Sequence, residues 1–294
     1  MRAGLDEPVV DAHHHLWDPT RADYPWMTDE LAAIRRPFGV EDLRPLLVEN
    51  GVRATVVVQA RSSLEETREL LETAAATDFI AGVVGWVDLT DPEVHTTLRG
   101  LKAGPGGRFL VGVRHQVHDE PDAQWLLRSD VRRGLGAVRE ADLAYDLLVR
   151  PRELPAAVAL ARQLEGLRLV IDHAAKPRIA AGWDREWARR MAPLKDMPDV
   201  YCKLSGLVTE ADPARWRVTD LSPYVHAVLE WFGEDRVMFG SDWPVCLLAA
   251  PYDRVLAALR ETVADLPSAA RRKLLADNAV RFYRLGGPER HRSM

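Results

Sequence analysis

The sequence predicts a single-domain α/β protein, a (β/α)8 TIM barrel spanning residues 1–294. Three observations predict it. Eight short apolar runs rich in β-branched residues recur along the chain, each followed by a longer stretch with helical spacing. The runs are continuously apolar rather than alternating, as expected for parallel strands covered on both faces. Their starts lie mostly about 20 to 45 residues apart, room for a strand, a crossover helix and two loops. An open doubly wound sheet normally has fewer strands and an early Gly-rich phosphate turn, and no such turn follows the first run here.

The runs are PVVDAHHH (8–15), ATVVVQA (54–60), FIAGVVGWVDL (79–89), FLVGVRHQ (109–116), AYDLLV (144–149), LRLVIDH (167–173), DVYCKLSG (199–206) and RVMFGSD (236–242). Amphipathic stretches fill the intervals. Ser63 with Glu66 forms a capping-box pattern ahead of Leu70, Leu71 and Ala74. The stretch 152–166 ends on Gly166, a usual helix stop. DREWARRMAPLKDM and SPYVHAVLEWFG follow, and YDRVLAALRETVADL and SAARRKLLADNAVRFYRL are expected to complete the outer layer. Residues 16–40 are long, aromatic and weakly periodic, which suits a loop over the active site. Residues 286–294 read as a flexible tail.

Hydrophobic residues make up 47% and charged residues 28% of the chain, the balance of a globular protein with a large core. The net charge of -5 is spread along the chain, so no basic face points to nucleic acid or an anionic membrane. Cys202 and Cys246 sit in apolar runs and read as buried thiols, compatible with a reducing compartment. The N-terminus lacks the apolar stretch of a signal peptide, so the expected location is cytoplasmic. The expected state is a monomer or a small homo-oligomer.

Polar residues collect where a barrel keeps its chemistry, at the C-terminal ends of strands. These ends carry His13-His14-His15, Gln59, Trp86 and Asp88, Arg114-His115, Asp172-His173 with Lys176 beyond, Lys203 and Ser205, and Ser241-Asp242. Alternate strand residues share a face, so His13 and His15 point together while His14 turns away and reads as a solvated histidine. Two convergent imidazoles suit a divalent metal or a substrate oxygen. Barrel closure brings the eighth strand, with Asp242, beside the first. Arg114 and His115 cannot both face inward on a regular strand.

The elements D11-A-H13-H14-H15-L-W17-D, VVVQA, GVRH, YDLLV, DHAAKP, KLSGL and FGSDWPV, in this order, resemble the amidohydrolase superfamily. More narrowly, they resemble its lactone-hydrolysing branch of sugar lactonases and pyrone-dicarboxylate lactonases, from about residue 8 to residue 285. The resemblance implies that His13, His15, His173 and Asp242 form the site and would be the ligands if a metal is bound. Binuclear members add a lysine or glutamate on strand four and a histidine on strand five. This chain has Arg114-His115 and Tyr145-Asp146 there, which leaves one divalent ion, typically zinc, or no metal.

The implied reaction is opening of an L-fucono-, L-rhamnono- or related aldonolactone, a small-molecule substrate, to the aldonic acid. Asp242 would activate water, with His13, His15, His173 and Arg114 assisting at the carbonyl. Gln59, Trp86, His115, Lys176, Trp17 and Trp243 are the expected substrate-binding residues. The competing expectation is a metal-dependent decarboxylase, or another hydrolase of the superfamily, acting on a small carboxylic acid.

Overall fold

The structure, a computed structural model, describes residues 7–286. Among these residues eight strands appear: β1 (Val9–His14), β2 (Val52–Val58), β3 (Ile80–Gly85), β4 (Leu110–His115), β5 (Ala144–Leu147), β6 (Leu169–Ile171), β7 (Val200–Leu204) and β8 (Val237–Phe239). Their order in the sheet is their order in the chain, and the pairs are parallel. The ring closes just beyond β8. There Asp242 N–H donates to the His13 carbonyl at 2.8 Å, and His15 N–H donates to the Trp243 carbonyl at 2.7 Å. The closing seam therefore runs through the histidine motif itself. This is the (β/α)8 barrel the sequence predicts.

The outer layer holds α1 (Val40–Asn50), α2 (Leu64–Ala75), α3 (Val94–Ala103), α4 (Ser129–Glu140), α5 (Leu154–Gln163), α6 (Arg185–Met191), α7 (Leu207–Glu210), α8 (Val218–Phe232) and α9 (Tyr252–Thr262). Ser63 caps α2, its Oγ accepting the Glu66 N–H at 3.2 Å. The box is only half made, because the Glu66 carboxylate turns to the backbone N–H groups of Ala60 and Arg61, both at 3.0 Å. Helix α5 stops at Gln163, short of the left-handed Gly166.

The last segment departs from expectation. Rather than completing the outer layer, residues 268–283 end in Phe282 and Tyr283, which pack with Val10, Ala12, Val56, Val58 and Met238. Val10 with Ala12, and Val56 with Val58, share a strand face. They belong to a core distinct from the one under the helices, so the C-terminal segment plugs the floor of the barrel. The segment is amphipathic whether it lies on the side or across the end, so periodicity cannot separate the two.

Residues 16–40 are tied by an antiparallel Trp17–Phe38 bridge, a 3-10 helix (Asp29–Ile34) and an aromatic cluster of Trp17 with Tyr24, Trp26 and Phe38. Both cysteines are free and buried. Apart from Gly286, the tail expectation lies outside the described residues. Among the described residues no helix is long and apolar enough to cross a membrane.

Candidate active site

The site is assembled from the mouth-side ends of β1, β4, β6 and β8. Asp11 ties the seam, accepting from the His13 N–H (3.1 Å), the Ser241 N–H (2.8 Å) and the Tyr252 hydroxyl (3.0 Å). His13 and His15 do share a face, with their Nε2 atoms 3.2 Å apart. His15 Nδ1 donates to the Val58 carbonyl at 2.8 Å, which leaves Nε2 bare and fixes the ring. His14 faces the other way, as expected, but is not solvated. It is fully buried with Nε2 2.9 Å from Thr55 Oγ1.

His173 and Asp242 both hold left-handed backbone, at φ 53° and 58°. That region costs a non-glycine residue about 1–2 kcal/mol, and such strain concentrates at functional sites. Asp242 Oδ1 lies 3.4 Å from His15 Nε2, 3.8 Å from His13 Nε2 and 3.9 Å from His173 Nε2. Ser205 Oγ holds His173 Nδ1 at 2.9 Å. Gly206, at φ 63°, leaves the space these groups need. A Cβ there would sit 2.7 Å from His173 Nδ1 and 3.1 Å from Asp242 Oδ2. Gly206→Ala is expected to cut kcat at least about tenfold by displacing His173. Steady-state kinetics alongside a urea titration separate that displacement from unfolding.

Burial disfavours charge on His13 and His173, while Asp242 keeps its own. Burial pushes His173 down to about 3 and also holds His13 well below its ordinary value. Burial would raise the Asp242 carboxyl, but His173, His15 and His13 outweigh it and hold it below the usual carboxylate range. Asp242 is thus a carboxylate at neutral pH.

A cavity of about 410 Å³ opens above this floor, within the range of small-molecule sites. His15, Arg114, His173, Lys176 and Asp242 line it, with Trp26 and Leu31 from the 16–40 segment. Larger hollows of about 610 Å³ beside α2 and about 680 Å³ around Trp183 lie away from the histidines. Chemistry, not size, selects the site.

The other expected contacts divide. Arg114, not His115, faces the centre. Its Nη1 donates to Asp172 Oδ2 (3.1 Å) and His13 Nε2 (3.2 Å), and its Nη2 donates to the Gln59 carbonyl (2.5 Å). Gln59 is fully buried behind Arg114, and Lys176 pairs with Glu210 at 3.0 Å on the cavity wall. Trp86 and His115 do not line the cavity. Trp86 Nε1 donates to His115 Nδ1 at 3.0 Å, and His115 stacks on Trp125 with centroids 4.3 Å apart. Trp17 and Trp243 are likewise buried in packing, on either side of Phe38. Trp is large enough to serve as a wall or as filler, and strand-end position does not distinguish them.

Residues unmarked by sequence also line the cavity, including His118, Asp119, Arg150 and Glu210. Arg150 directly follows the fifth apolar run, so the strand-end rule could have found it. His118, Asp119 and Glu210 lie in short helical turns with no spacing signal.

Ligands about 2.0–2.1 Å from a tetrahedral zinc stand about 3.3 Å apart. The observed separations of 3.2, 3.4 and 3.8 Å fit a divalent ion on His13, His15 and Asp242, a set that does not extend to His173, which groups instead with His13 and Asp172. Arg114 competes with it for His13 Nε2.

The amidohydrolase family model matches residues 10–285. The chain belongs to the amidohydrolase family. This amidohydrolase is 43% identical over 283 residues to an L-fucono-1,5-lactonase of Burkholderia ambifaria, covering 95% of this chain and 96% of that relative. It is 39% identical to an L-fucono-1,5-lactonase of Burkholderia multivorans, over 95% and 97% of the two chains. Crystal structures of a Burkholderia multivorans amidohydrolase, 38% identical, superpose with TM-scores of 0.89 with HEPES bound and 0.88 with zinc bound. Each covers 95% of this chain and 99% of its own.

Proposed function

We propose that this amidohydrolase opens a sugar-acid lactone, an aldonolactone of the L-fucono type, to the aldonate. The observation that carries the reading is the Asp242 carboxylate, ringed by three imidazole nitrogens within 3.9 Å at the base of a cavity. The two Burkholderia lactonases supply the substrate class.

Water adds to the lactone carbonyl as Asp242 takes its proton, and the ring C–O bond then breaks. The same proton passes from Asp242 to the departing ring oxygen, giving the open hydroxy acid. Arg114 lines the cavity where a donor can stabilise the developing oxyanion. A divalent ion on His13, His15 and Asp242 would supply Lewis-acid polarisation of the carbonyl. Lys176 and Arg150 place positive charge on the cavity wall, which suits the carboxylate that forms. Glu210 and Asp119 offer acceptors for sugar hydroxyls. The 16–40 segment, through Trp26 and Leu31, walls the pocket.

Acid release from a panel of 1,4- and 1,5-aldonolactones, followed with a pH indicator, tests the reading. At least one lactone should be opened with kcat/KM of about 10⁴ M⁻¹s⁻¹ or more. A parallel arm with protein dialysed against chelator and then given zinc reads the metal requirement directly. No turnover of any lactone at micromolar enzyme, with or without zinc, would remove the reading.

A further inference from the structure

The cavity has a charged side, which the proposed chemistry uses, and an apolar side, to which it gives no task. Going round the ring in strand order, the segments after β4 to β7 supply Asp119, Arg150, Lys176 and Glu210. Leu148, the apolar member of that arc, is only 5% exposed and offers little surface. The segments after β8 and β1 supply Trp26, Leu31, Val245 and Leu248, all half-buried. The one polar side-chain atom among these four, Trp26 Nε1, is spent on the Ala60 carbonyl at 2.8 Å.

Two of the four are fixed beside the reacting atoms. The 3-10 helix Val245–Leu248 begins three residues past Asp242, and Cys246 N–H donates to the Asp242 carbonyl at 2.8 Å. Residues i and i+3 of such a helix eclipse, so Val245 and Leu248 stack on one side of it, and both line the cavity. The 3-10 helix Asp29–Ile34 packs against it, which brings Leu31 to the same side.

We infer that Val245, Leu248 and Leu31 form the specificity-determining wall of this site, reading the substituent next to the lactone ring oxygen and selecting a methyl group there. The inference deepens the lactonase reading and rests on it. Asp242 returns its proton to the ring oxygen. In a 1,5-lactone that oxygen is bonded to C5, which carries C6, so C6 lies two bonds from the atom that Asp242 protonates. The wall that begins at Val245 is the part of the cavity tied to Asp242 by the shortest stretch of chain. The hydroxyls at C2 to C4 extend round the ring toward the charged arc. A methyl at C6 gains by leaving water for an apolar wall. A hydroxyl at C6 would lose water there with no side-chain partner among these residues. In a 1,4-lactone the ring oxygen is bonded to C4, and the group placed on the wall begins with the C5 hydroxyl. The same wall therefore favours the six-membered ring.

The test uses three 1,5-lactones with the ring hydroxyls of the L-fucono type and methyl, hydroxymethyl or hydrogen at C5, each formed in situ by oxidising the parent sugar. From methyl to hydroxymethyl kcat/KM should fall about 10–100-fold, and from methyl to hydrogen about tenfold or more, the range a hydrophobic pocket reaches for one hydroxyl or one methyl. Val245→Thr keeps the side-chain shape and adds a hydroxyl. It should cut the methyl-to-hydroxymethyl ratio at least about fivefold, and Leu248→Asn serves the same purpose if that variant fails to fold. A wall that only packs would lower all three substrates alike and leave the ratio unchanged, which overturns the inference. So do methyl and hydroxymethyl lactones opened within about threefold of each other, or other lactones opened but none of these three; the lactonase reading survives each of these results. If no lactone of any kind is opened, both fall together.

Discussion

Replacing Asp242 by asparagine is expected to lower kcat by about three orders of magnitude while KM moves less than about threefold. The size is that of a general base lost from a reaction that still binds its substrate. Asn keeps the shape and the left-handed backbone, a conformation Asn tolerates better than most residues. It cannot accept a proton from water or return it to the ring oxygen. It also removes the one charged member of the candidate ligand set, so zinc should bind less tightly to the variant. Steady-state kinetics on the best lactone and a competition titration with a chelating dye read the two effects separately. An Asp242→Asn protein that retains full turnover would sink the proposed base.

The second large effect is expected at Arg114. Arg114→Met should lower kcat/KM by at least about 100-fold and destabilise the fold by about 3–5 kcal/mol. The second figure is that of a buried ion pair broken by removing one partner. Arg114 is nearly fully buried and donates to Asp172, His13 and Gln59 at once. Its loss leaves Asp172 beside Lys203 and His13 alone and releases the Gln59 carbonyl. Arg114→Lys should recover part of the stability and little of the activity, because a single ammonium lacks the fork that spans these partners. The measurement is a lower urea midpoint at unchanged slope, beside kinetics on the same preparations. Near-normal stability in Arg114→Met would show that the buried Asp172 carboxylate does not depend on this guanidinium.

Much of this protein is legible in one dimension because the signals are local. Eight apolar runs, seven of them with polar residues at their C-terminal ends, announce parallel strands and a chemical end. The H-x-H spacing places His13 and His15 on one face from strand period alone, and closure sets Asp242 beside them. Local signals fail where the same pattern serves two outcomes. Trp86 and His115 sit at strand ends like true lining residues, yet they bond to each other and pack on Trp125. His14 looks like a surface histidine, yet it is buried against Thr55.

The sequence by itself determined the barrel, the order of its strands and the convergence of His13, His15 and Asp242, because strand period and closure are properties of the chain's own spacing. Only the tertiary structure decided that Arg114 faces inward, that residues 268–283 plug the floor, and that Lys203, Asp146 and Asp172 meet beneath His13. Those three come from β7, β5 and the end of β6, as far as 57 residues apart in the chain. A buried charge is tolerable only when its partner is present, and which partner arrives depends on the register between strands.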